Sequence, residues 1–81
     1  MGVKELREAF QEVIAPIGTC MKAFLDYRRP GGKEVQVLIF SGIYLDGTGF
    51  VIESEPIQPS GDLAAASRRT GLALLNRTRE P

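Results

Sequence analysis

The run Val35-Gln36-Val37-Leu38-Ile39-Phe40 constrains this chain more than any other stretch of it. Its β-branched and aromatic residues favour a strand, and strand side chains alternate between two faces. Val35, Val37 and Ile39 therefore share one face, while Leu38 and Phe40 occupy the other. Because both faces are apolar, the strand needs cover on both sides or leaves one side for a partner. With Val35, Val37 and Ile39 assigned inward, Leu38 and Phe40 fall on the opposite face together with Phe24, and these three are the candidate interface residues. The alternative is that helices divide between the two faces and bury all three.

The elements around this strand are legible from spacing and punctuation. Val3, Leu6, Phe10, Val13 and Ile14 recur at three and four residues, which predicts an amphipathic helix stopping near Ala15, ahead of Pro16 and Gly18. Thr19 to Arg28 alternates as a strand, with Met21, Ala23, Leu25 and Tyr27 on one face and Cys20, Lys22, Phe24 and Asp26 on the other. Arg29-Pro30-Gly31-Gly32 is a turn. A long strand from Val35 to Leu45, bulged at Gly42, then pairs through an Asp46-Gly47 hairpin tip with Thr48 to Ser54. The segment Glu55 to Gly61, with two prolines, is an extended connector.

Asp62 caps a second helix running to about Arg77. The side of this helix formed by Leu63, Ala66, Ser67, Thr70, Gly71 and Leu74 is rich in small residues, which suits close packing on the sheet. The expected fold is α+β in the order α-β-β-β-α. It has an antiparallel three-stranded sheet, with room for a fourth strand, packed by two helices in a single small domain over residues 1–81.

Composition removes several functions. One Cys makes no internal disulfide, and with no His in 81 residues it completes no zinc site and no Ser-His or Cys-His pair. No cofactor or metal is implied, the chain reads as non-enzymatic, and a reducing cytoplasmic setting fits it. No signal peptide or membrane span is visible. A domain of this size is marginally stable alone, so an exposed apolar face points to self-association.

The ten basic and ten acidic residues cancel, but four arginines, Arg68, Arg69, Arg77 and Arg79, fall in the last helix and its tail. With Arg28 and Arg29 they form a candidate patch for phosphate or carboxylate groups. The plainer reading is a solvated helix face. Cys20 reads as a buried structural thiol, and Gly42, Gly47 and Gly49 as turn and bulge glycines rather than a phosphate loop. Glu53 and Glu55, two apart on a strand, read as an acidic edge or as the start of a cation or acid–base site.

The element order, Tyr27 before a glycine-containing turn, the Val35 to Ile39 strand, the Gly47-Thr48-Gly49 run and the Leu63-Ala64-Ala65-Ala66 helix start resemble the double-stranded-RNA-binding domain. The resemblance implies the α-β-β-β-α fold. The family's phosphate-gripping lysines at the start of the second helix are replaced here by Gln58, Pro59, Ser60, Gly61 and Asp62, and the segment from Phe50 to Pro59 is additional. Members lacking those lysines commonly mediate protein contacts.

The expected function is a homodimeric interaction module that binds a protein partner, of regulator or inhibitor type. The alternative is an RNA-binding module using Arg28, Arg29, Arg68, Arg69, Arg77 and Arg79. A third reading places a small ligand among Tyr27, Tyr44, Glu53 and Glu55 at a dimer interface.

Overall fold

The computed structural model describes residues 2–79. Its elements are α1 (Val3–Ile14), β1 (Gly18–Arg28), β2 (Val35–Tyr44), β3 (Gly49–Glu53) and α2 (Leu63–Arg79), with one 3-10 turn at Pro30–Gly32. The sheet is antiparallel in the order β1-β2-β3, and residues from both helices join the core on one of its faces. The fold is α+β, in the expected order.

Local chemistry explains the helix ends. The Glu5 carboxylate accepts a hydrogen bond from the Gly2 N–H at 2.8 Å, and the Ile17 N–H donates to the Ile14 carbonyl at 2.8 Å as Pro16 turns the chain into β1. Asp62 accepts from the Ala65 N–H at 3.0 Å, the cap expected for α2. The small-residue side of α2 packs on α1 rather than on the sheet. A methyl group at Gly71 would lie 2.9 Å from Val13 Cβ and 3.4 Å from the Phe10 carbonyl oxygen, so the absent side chain lets the two helices approach.

Register decides which residues face the helices. Cys20 pairs with Gly42 and Lys22 with Ser41, so Met21 is an extra residue and the bulge sits on β1, opposite Gly42. A side chain at Gly42 would collide with the Thr19 carbonyl oxygen and the Phe50 ring. The bulge shifts the alternation of β1 by one residue, so Cys20 joins Ala23 and Leu25 against the core. The expected grouping of Cys20 with Lys22 and Phe24 is corrected by this shift.

The assignment of β2 is reversed. Leu38 and Phe40 are core residues, both 0% exposed, and they are removed from the candidate interface. Phe40 stacks on Phe10 of α1 with ring centroids 4.1 Å apart and planes 4° from parallel. Phe50 lies 6.2 Å from Phe10, and Tyr44 lies 5.1 Å from Phe50. The larger side chains of β2 fill the gap under α1, and Val35, Val37 and Ile39 take the other face.

The β2–β3 hairpin is longer than a two-residue tip. Leu45, Asp46 and Gly47 form the loop, closed by Tyr44 N–H to Thr48 O at 2.7 Å and Gly47 N–H to Tyr44 O at 2.9 Å. Asp46 Oδ1 accepts from the Thr48 N–H at 2.9 Å and from its hydroxyl at 2.6 Å. Both bonds favour the charged carboxylate and hold its pKa below the ordinary aspartate value, the hydroxyl contributing most. Beyond β3, the fourth-strand expectation reduces to one bridge, Gln36 with Ile57, bonded both ways at 2.8 Å.

Candidate functional site

Among the described residues neither helix packs on the second face of the sheet, and the two ends of that face differ. At one end Arg28 donates to Asp26 at 3.1 Å and, crossing β2, to Glu53 at 2.8 Å. The two carboxylates, Glu53 first, push the guanidinium pKa above its already high value. Val35 and Val37 of β2 are buried on this same face, Val37 to 1% exposure.

At the other end the apolar side chains stay in solvent. Phe24 is 55% exposed and Val51 64%, with Ile43 exposed and Ile39 half-buried between them. These four come from all three strands and share one face through the pairs Phe24 with Ile39, Ile39 with Glu53, and Ser41 with Val51. Exposed Met21 lies at the adjoining bulge. Phe24 is the one sequence-proposed interface residue on this face.

The two edges of the sheet are partly closed by side chains. The Gln11 amide of α1 behaves like a short piece of added strand: its Oε1 accepts from the Cys20 N–H at 2.7 Å and its Nε2 donates to the Gly18 carbonyl at 3.2 Å. Asp26 accepts from the Tyr27 N–H at 3.0 Å. On β3, Arg77 donates to the Val51 carbonyl at 3.4 Å. Such caps discourage edge-to-edge pairing.

Of the six arginines, the five with described side chains do not gather on one surface. Arg28 lies on the open face, held by Asp26 and Glu53; Arg69 on α2 donates to Glu55 at 2.6 Å; and Arg77 reaches the β3 edge. Arg29 at the β1–β2 turn and Arg68 on α2 are exposed, and the side chain of Arg79 lies outside the described residues. Glu53 and Glu55 point to different partners, Arg28 and Arg69, because the chain leaves the sheet between them, so they make no acid pair.

Tyr44 packs on Phe50 on the helix side, away from Glu53 on the open face, which separates the residues of the small-ligand reading. Cys20 is buried, its thiol donates to the Lys22 carbonyl at 3.3 Å, and burial pushes its pKa up. That is the environment of a structural thiol.

A second feature was not expected from sequence. Lys4 and Arg7 of α1 and Lys22 of β1 line a groove of about 550 Å3 with Val3, Ala23 and Phe24. The signal for it was present: Lys4, Arg7 and Gln11 recur at three and four residues along one flank of the α1 stripe. What joins them to Lys22 is the packing of α1 beside β1.

Among the described residues no group of three His, Cys, Asp or Glu side chains is placed to hold a metal, and no helix is long and apolar enough to cross a membrane. No family model, curated protein or solved structure matches this chain.

Proposed function

We propose that this chain is a non-enzymatic interaction module that works as a homodimer, closed by packing the open sheet face of one copy on that of another. The observation that carries this reading is the exposure of Phe24, Ile43 and Val51 at one end of the face that carries no helix, while side chains cap part of the β1 edge and the Val51 carbonyl of β3. Three strands, the middle one of 10 residues, present a face on the order of 500 Å2. Two such faces bury about 1,000 Å2 together, the lower bound for a specific interface.

Charge favours the same closure. Lys22 and Asp26 flank Phe24 on this face, so a two-fold axis beside Phe24 sets each Lys22 against the other copy's Asp26. The dimer then offers its helical outer surfaces, with exposed Arg68, to a protein partner. The RNA-binding reading draws less support, since carboxylates already hold Arg28 and Arg69, and it requires affinity that falls steeply with salt.

Sedimentation equilibrium of the wild type and of Phe24→Asp tests the proposal. The expected result is a dimer for the wild type and a folded monomer for the variant, by unchanged far-ultraviolet circular dichroism. A wild type that stays monomeric at several hundred micromolar rejects the homodimer.

A further inference from the structure

The edge of β1 is capped at both ends and bare in the middle. Gln11 holds Gly18 and Cys20, Arg7 Nη1 reaches the Met21 carbonyl at 3.5 Å, and Asp26 holds the Tyr27 N–H. Backbone groups that turn outward alternate along an edge strand. With Tyr27 turned outward, Leu25 and Ala23 turn outward too, and no side chain among the described residues bonds their N–H or C=O groups.

The groove of Lys4, Arg7 and Lys22 runs beside this bare stretch, with Val3 and Phe24 as its apolar walls. The three cations are placed at a local disadvantage. Lys4 and Arg7 are like charges three residues apart on a helix, and both lie near the positive end of the α1 dipole. None of the three has a carboxylate within 4 Å among the described residues, whose ion pairs involve Arg28 and Arg69. Of the nearby acids, Glu5 turns back to the Gly2 N–H, and Glu8 stands on the Gln11 side of Arg7. A chain with as many acids as bases thus leaves a concentrated positive charge around unpaired strand hydrogen bonds.

We infer that this groove receives an extended acidic peptide segment, which adds to β1 as a further strand. Its backbone bonds the outward groups of Ala23 and Leu25, and its side chains alternate between the two sides of the edge. Acidic side chains meet Lys22 on the open-face side and Lys4 and Arg7 on the helix side, while apolar ones rest on Val3 and Phe24. Both parts of the ligand are needed: a free phosphate has no strand to pair, and an RNA backbone has no alternating N–H and C=O groups. The peptide pairs with the backbone of the β1 edge whereas the homodimer packs the sheet face; Phe24 and Lys22 border both, so Lys4→Glu, which lies off that face, is the variant that separates the two.

The test is an amide NMR titration of the full chain with a seven-residue peptide of successive Glu-Glu and Val-Val pairs, which sets both residue types on each side of the added strand. Parallel titrations use the same peptide with glutamine for glutamate, inorganic phosphate, and an RNA duplex. The acidic peptide is expected to shift the Ala23 and Leu25 amides and slow their hydrogen exchange, with affinity weakening about ten-fold at high salt. Lys4→Glu is expected to weaken binding about ten-fold without lowering the melting temperature, because an acid suits the first turn of a helix. Lys22→Glu, on an exposed strand position, checks the same loss from the other side of the groove. The inference is overturned if those two amides gain no protection, if the glutamine peptide binds as well, or if phosphate or RNA shifts the same residues as strongly.

Discussion

Phe40 and Phe24 lie on neighbouring strands one residue out of register, Ala23 pairing with Phe40 and Phe24 with Ile39. That single step sets Phe40 flat against Phe10 under a helix and leaves Phe24 more than half exposed. The difference between the two rings is one of position. On the helix side a ring fills a gap that nothing smaller closes, and its burial removes apolar surface from water. On the open side the same ring gains little until a second surface arrives, and part of that face is occupied by the Asp26, Arg28 and Glu53 network.

The largest expected effect separates the two faces directly. Phe40→Ala is expected to cost about 3–5 kcal/mol, a large share of the stability of a domain this small, while Phe24→Ala costs within about 0.5 kcal/mol in a monomeric background. Urea unfolding followed by circular dichroism measures both. Equal losses would mean that the open face is covered within the monomer, and the contrast drawn between the faces would be wrong.

A smaller effect sharpens the helix-side half of the comparison. Gln36 shares that face with Leu38 and Phe40, and its Oε1 is buried without a hydrogen-bond partner among the described residues. Gln36→Leu removes this desolvated group and is expected to raise stability by about 1 kcal/mol in the same unfolding assay. A destabilised variant would show that the amide is satisfied in solution.

The smallest effect lies in the hairpin that keeps β2 and β3 in register. Asp46 has a depressed pKa in the folded state, so its contribution is present above the ordinary aspartate value of about 3.9 and fades as the pH falls through the lower folded value. Asp46→Ala is therefore expected to melt slightly below the wild type at pH 7 and together with it near pH 2. A gap that stays constant over this range would remove the charge from the account.

Residues near one another in the chain carried most of the fold into view. The α1 stripe, the stop at Pro16, the Asp62 cap and the three strands are consequences of spacing, capping and turn chemistry within a few positions, and all appear where those rules place them. The candidate site was legible only in part. Phe24 lies on the open face as expected, but the orientation of β2 was hidden because both of its faces are apolar, so alternation alone had no side to prefer. The Met21 bulge likewise moved Cys20 across the sheet with no mark in composition.

What the sequence by itself determined is the α-β-β-β-α order and the strand that had to be apolar on both faces. Tertiary structure alone decided which face became core, because that depended on Leu38 and Phe40 fitting beneath α1. It also decided the charged surfaces: Arg28 and Arg69 were drawn to Glu53 and Glu55, and Lys4 and Arg7 were brought beside Lys22. The physical reason is range. Hydrogen-bonded turns and helical periods act over about four residues, whereas a packed ring or an ion pair joins positions the chain brings together only once it has folded.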